Sequence, residues 1–279
     1  MSEYEHVLYE NIKPGIARIT QNRPEVRNAQ DLQMTYDLNA AFDEAAQDDG
    51  IKVIILTGAD PHFSAGHDLR GNSGKELAKD FPVVGSWAGF KENGAHGRYA
   101  RESEIFLEMT RRWRNLPKPT IAQVSGKCIA GGLMLAWACD IIIASDDAMF
   151  QDPVVSMGVC GVEFFMHPWE LGPRKAKELL FTADWWTAQE AHRLGMVNHV
   201  VPRPEIEAFT LELAEKIASK PLFALKMSKR AVNHCVDASG QQTSIDAVFE
   251  MHQLCHAHNE KVFGLVVDPA GFPSALKKD

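Results

Sequence analysis

His62-Phe63-Ser64-Ala65-Gly66-His67-Asp68-Leu69 and, further along, Gly126-Lys127-Cys128-Ile129-Ala130-Gly131-Gly132 are each a short apolar run that breaks into a glycine turn. Such a break leaves a backbone N–H unpaired at a strand end or helix start, free to bind a ligand. Two converging donors of this kind make an oxyanion hole, which polarises a carbonyl and holds the charge that develops on its oxygen. Losing one donor typically costs about 100- to 1000-fold in rate. Gly131-Gly132 alone reads better as close packing of a helix against the sheet. Its pairing with the upstream turn is what points to a site. No G-x-G-x-x-G follows a strand, so a dinucleotide-binding reading is set aside.

Working outward, Val7 to Glu10 and Ile16 to Thr20 read as paired strands around Pro14-Gly15. Asp31 to Gln47 places Leu38, Ala41, Phe42 and Ala45 at helical spacing, and Val53 to Leu56 reads as a buried strand. The tract Arg70 to Gly97 has many glycines and no sustained period; it is expected to form either a loop covering the site or a disordered insertion. Glu102 to Arg114 returns to helical spacing, and Leu116-Pro117-Lys118-Pro119 ends it before a strand over Thr120 to Val124. Leu133 to Ala138 is apolar all round and therefore interior, ahead of a strand over Ile141 to Ala144. From Pro204 onward helical patterns dominate, over Glu205 to Ser219, Leu222 to Cys235 and Gln241 to Lys261. The division expected is residues 1–203 as an α/β core carrying both turns and 204–279 as a helical region.

With 279 residues, 45% hydrophobic and 24% charged, the chain can bury a large core. A formal charge of -8 argues against nucleic acid or an anionic membrane as partner, since both demand a basic face. No apolar run approaches the length needed to span a bilayer and no leader pattern opens the chain, so a cytoplasmic location is expected. Cys128, Cys139, Cys160, Cys235 and Cys255 are odd in number and lack a C-x-x-C pair; they read as reduced, mostly buried thiols without a disulfide or zinc role. His252 and His256 share a helix face, with His258 close by. With no further converging ligand identified, they read as a solvated or interface face, and no metal is expected.

Several ordered motifs together resemble the crotonase (enoyl-CoA hydratase/isomerase) superfamily. They are Asn22-Arg23-Pro24-Glu25-Val26-Arg27-Asn28-Ala29, Val53-Ile54-Ile55-Leu56-Thr57-Gly58, the two glycine turns, Cys139-Asp140-Ile141-Ile142-Ile143-Ala144, Thr187-Ala188-Gln189-Glu190-Ala191 and Leu194-Gly195-Met196-Val197-Asn198. The resemblance implies an α/β fold with a crotonase-type ββα spiral core and a C-terminal α-helical trimerisation region, assembled as a homotrimer or dimer of trimers. It implies an acyl-CoA substrate, with coenzyme A carried as part of the thioester and no separate cofactor required. The oxyanion donors it assigns are the backbone N–H groups of His67 and Gly131. Ala65, His67, Asp68, Leu69 and Arg70 would line the coenzyme A path, with Arg27 and Arg23 as phosphate contacts or solvated charges.

The resemblance also marks a departure. Hydratases of this family carry two glutamates, and counting from Cys139-Asp140 and from Phe150-Gln151-Asp152-Pro153 puts Met134 and Val154 at those places. Neither side chain transfers protons, and positioned acid–base groups supply about 100- to 10,000-fold. Other members place one carboxylate past the glycine that here is Gly158, where this chain offers Glu163 among apolar neighbours, either as the catalytic base or as a salt-bridge partner or surface residue. The His67 imidazole is a further acid or base, and Asp152 either caps a turn or reaches the substrate. The reading is an enzyme with hydratase- or isomerase-like chemistry. Alternatives are another one-base reaction such as thioester hydrolysis, or acyl-CoA binding without turnover.

Overall fold

The computed structural model describes residues 4–69, 81–85 and 87–271. Strands β1 (Val7–Lys13) and β2 (Ile16–Gln21) form an antiparallel hairpin, and helix α1 (Leu32–Gln47) follows, its first turn capped by the Asp31 side chain accepting from the Met34 N–H at 2.8 Å. Strand β3 (Val53–Gly58) pairs in parallel with β2. Helix α2 (Gly94–Glu102) runs through a π-helical turn (Ser103–Glu108) into α3 (Met109–Arg114). The aperiodic tract therefore gives way to helix at Gly94, and its residues 70–80 and 86 lie outside the described residues.

The chain then passes twice between two sheets. Strand β4 (Thr120–Val124) leads to β5 (Lys127–Ile129) and helix α4 (Gly131–Trp137); strand β6 (Ile141–Ser145) leads to β7 (Met149–Gln151). An earlier pass of the same kind joins β3 to Ser64, which bridges Cys128. Helices α5 (His167–Leu171) and α6 (Pro173–Thr182), strand β8 (Trp186–Thr187), helix α7 (Ala188–Leu194) and strand β9 (His199–Val201) complete the core. The larger sheet has the order β1-β2-β3-β4-β6-β9 and the smaller β5-β7-β8.

Both faces of the larger sheet are covered, which is why its central strands read as nearly unbroken apolar runs. Ala17, Ile19, Ile54, Leu56, Ala122, Val124, Ile142 and Ala144 face the main core with α1 and α4. Ile16, Val53, Ile55, Ile121 and Ile143 face the other way and bury Ile206 and Ala214 of α8 (Ile206–Ala218). Helices α9 (Leu222–Ala238) and α10 (Gln241–Phe263) follow; α9 carries no buried apolar residue, its Lys229 reaching in to pair with Asp140 at 2.9 Å, and Phe223, Val232, Met251 and Leu254 are exposed. The cysteine expectation holds fully only for Cys128: Cys139, Cys160 and Cys255 are half-buried and Cys235 is exposed. Among the described residues no helix is long and apolar enough to cross a membrane.

Candidate active site

The two glycine turns meet. Gly66 lies at φ +86°, and a Cβ built on it would stand 2.8 Å from the Ile129 carbonyl oxygen and 3.1 Å from the Gly131 nitrogen. Ala130, in the rarely adopted region at φ 47°, turns the chain from β5 into α4, so that Gly131 opens the helix. The first turn is held from behind by Asn28, fully buried, whose Nδ2 donates to the carbonyls of Ala59 (2.8 Å) and His62 (2.7 Å) while its Oδ1 accepts from the Arg23 N–H at 3.0 Å. Ser64 adds a bond from its hydroxyl to the Asn28 carbonyl at 2.8 Å. Among the described residues, no protein acceptor is bonded to the backbone N–H of His67 or of Gly131.

The His67 ring lies against this point. A Cβ on Gly131 would come 2.6 Å from its Nε2, and its face stacks on Phe106 of the π-helical turn at 3.7 Å between centroids. Burial pushes the imidazole down to about 3, with the neighbouring His252 a lesser cause, so the ring is neutral near pH 7. Its Nδ1 is 3.9 Å from Oε1 of Glu163, which is 5% exposed. Burial, then the charge of Glu102, pushes the Glu163 carboxyl up to about 8. Met134 and Val154 are buried apolar packing in α4 and in the turn after β7.

Beyond Glu163 stands a group that local sequence patterns do not reveal. His252 and His256 are buried, not solvated, and their Nε2 atoms are 2.9 Å apart. Glu102 from α2 supplies the converging carboxylate, with Oε2 4.0 Å from His252 Nε2 and 3.6 Å from His256 Nε2. Glu163 Oε1 is 3.5 Å from His252 Nε2. Burial lowers both imidazoles. Nothing near Glu102 in sequence signals this contact, since its partners lie on the last helix. Asp152 acts as a cap, accepting from the Val154 and Val162 N–H groups, and it sits 2.9 Å from His167 Nε2.

The remaining residues singled out in the sequence lie around the first turn. Ala65 is half-buried and donates its N–H to the Arg27 carbonyl; Leu69 is exposed; Arg70 lies outside the described residues. The Asp68 carboxylate stands 3.3 Å from Nη1 of Arg23, which also reaches Asp31 at 3.2 Å and the Ala29 carbonyl, so Arg23 is tied into the scaffold. Arg27 is exposed, and together with Lys127 and Arg203 it adds to the positive field that, after burial, lowers the His62 imidazole.

The family model described as enoyl-CoA hydratase/isomerase matches residues 11–87 and 85–266. A Mycobacterium tuberculosis protein provisionally named enoyl-CoA hydratase EchA13 is 47% identical over 269 residues, covering 94% of this chain and 84% of the relative. The crystal structure of a probable enoyl-CoA hydratase from Mycobacterium smegmatis superposes with a TM-score of 0.85 at 48% identity, covering 94% of this chain and 99% of that one. An enoyl-CoA hydratase/isomerase from Xanthobacter autotrophicus Py2 superposes with a TM-score of 0.82 at 33% identity, covering 96% and 91%.

Proposed function

The chain belongs to the enoyl-CoA hydratase/isomerase family, and from that premise we propose that it acts on an acyl-CoA thioester, holding the carbonyl between the N–H groups of His67 and Gly131 and moving a proton with Glu163. The observation that carries this reading is the convergence of two unbonded backbone donors beside a buried carboxyl. Polarising the thioester carbonyl acidifies the α-carbon and stabilises the enolate that forms when a proton leaves or a nucleophile adds at the β-carbon. The helix dipole of α4 adds to the Gly131 donor. Met134 and Val154 stand where a two-glutamate hydratase would have its carboxylates, which leaves Glu163 to transfer the proton and His67, neutral, to orient it. Arg27 is the proposed contact to the coenzyme A phosphates, with Ala65, Asp68, Leu69 and Arg70 along the same path. No separate cofactor is called for, because the chemistry needs only the thioester and the protein groups named.

The same reading carries a homotrimer or dimer of trimers in the cytoplasm, supported by the apolar side chains exposed on α9 and α10. The test is an assay against straight-chain, branched and aromatic enoyl-CoA esters that follows loss of conjugation and release of free thiol together. Loss of conjugation without thiol is the expected outcome. Thiol release would replace the assignment with hydrolysis, and saturable binding with silence in both channels would overturn the enzymatic reading.

A further inference from the structure

We propose that Glu102, His252 and His256 form a binding site for one divalent transition-metal ion of the zinc type, with Glu163 facing its open side. The argument begins with the two imidazoles. His252 Nδ1 lies 2.8 Å from the Gly161 carbonyl oxygen and His256 Nδ1 2.6 Å from the Val266 carbonyl oxygen. A carbonyl only accepts, so each Nδ1 carries the hydrogen and each neutral ring turns its Nε2 lone pair inward. Those lone pairs face each other at 2.9 Å, which is repulsive unless a cation lies between them. Imidazoles anchored through Nδ1–H to a carbonyl, presenting Nε2, have the orientation of metal ligands.

The distances fit an ion. A triangle with sides of 2.9, 3.6 and 4.0 Å between the two Nε2 atoms and Glu102 Oε2 has a centre about 2.1 Å from all three corners, the zinc–nitrogen and zinc–oxygen bond length. Glu163 Oε1 stands beside this triangle, 3.5 Å from His252 Nε2. Gln253 donates from Nε2 to Glu102 Oε2 at 2.5 Å and so holds the carboxylate in place. Two imidazoles and a carboxylate select zinc, cobalt or nickel over magnesium, which prefers water and oxygen ligands. The ion-binding claim stands on these residues alone and does not depend on which reaction the protein catalyses.

The experiment is metal stripping of the full-length protein followed by calorimetric titration with Zn2+ and by elemental analysis after equilibrium dialysis. One equivalent per chain at sub-micromolar affinity, undisturbed by excess Mg2+, is expected. Co2+ should give the visible bands of a nitrogen- and oxygen-ligated site with no thiolate charge-transfer band. His256→Gln and Glu102→Gln should each weaken Zn2+ binding by at least about 100-fold, with circular dichroism melts reporting whether each variant is folded. Absence of stoichiometric Zn2+ binding by the unsubstituted chain would overturn the proposal in favour of a proton shared by the two rings. A thiolate signature with Co2+, or a folded variant that binds as tightly as the parent, would overturn it by placing the ion elsewhere.

Discussion

Replacing Gly66 with alanine tests whether the close approach of the two turns matters, because the structure separates two consequences of the change. At φ +86° an alanine is in the left-handed region, which costs about 1–2 kcal/mol. Its Cβ would also stand 2.8 Å from the Ile129 carbonyl and 3.1 Å from the Gly131 nitrogen, both backbone atoms that no side-chain rotation can clear. Overpacking of this kind adds about 1–3 kcal/mol. Gly195 supplies the control: at φ +90° it bears the same strain but nothing lies within 4 Å of its Cβ position. In urea unfolding, Gly195→Ala should cost about 1–2 kcal/mol and Gly66→Ala about 2–5 kcal/mol. Moving the Gly131 N–H by a few tenths of an ångström should lower kcat/KM by about tenfold or more, given that 1 Å of misplacement costs about 100-fold. Gly195→Ala should retain parental kcat/KM. Equal destabilisation by the two substitutions, together with full activity of Gly66→Ala, would refute both the tight approach and the role given to the two donors.

Other expectations concern single side chains. Glu163→Gln preserves shape and should lower kcat by about 100- to 10,000-fold with its melting temperature kept, as read by steady-state kinetics and calorimetry; undiminished turnover would remove Glu163 from the mechanism. Asn28→Ala strands two carbonyls and one N–H behind the first turn, and denaturant titration should show a loss of about 3 kcal/mol or more. Burial raises Glu170 to about 7, so the folded chain holds a proton that the unfolded chain has released. Stability should therefore fall as pH rises from about 4.5 to about 7, by about 1–3 kcal/mol for this partly exposed group. Glu170→Gln should flatten that part of the curve and make the protein more stable at pH 8; an unchanged pH profile would count against the burial effect.

The elements that sequence patterns locate well are those whose limits are written locally. Strand β4 begins and ends where the Pro117-Lys118-Pro119 boundary and the apolar run put it, and α4 opens at the glycine pair. The two glycine turns were legible as a pair, and Glu163 stood out as a charge among apolar neighbours. What escaped is non-local. Glu102 meets His252 and His256 only because α2 and α10 are brought together in the fold, and hydrophobic spacing carries no record of that contact. The two histidines read as a solvated or interface face because polar residues at helical spacing usually are one; the fold instead buries them and turns both Nε2 atoms toward Glu102. The π-helical turn was equally hidden, because six residues with one extra backbone step keep an ordinary helical pattern of apolar side chains.

That turn makes the chain tolerant of a lost residue at one place and leaves it sensitive to length in the regular helix that follows. A π turn holds one residue more than the α-helix it interrupts, so deleting a single residue within Ser103–Glu108 would restore regular winding with the flanking helices still in phase, whereas deleting one from the regular turns of α3 would rotate everything before it by about 100°. Glu102 would swing away from the two histidines, and the segment that now carries Glu104 to the backbone amides of Val84 and Gly85 would lose its aim. Insertion or loss of one codon in α3, without any change in the histidines themselves, is thus a single genetic step between a chain that gathers three potential ligands and one that does not.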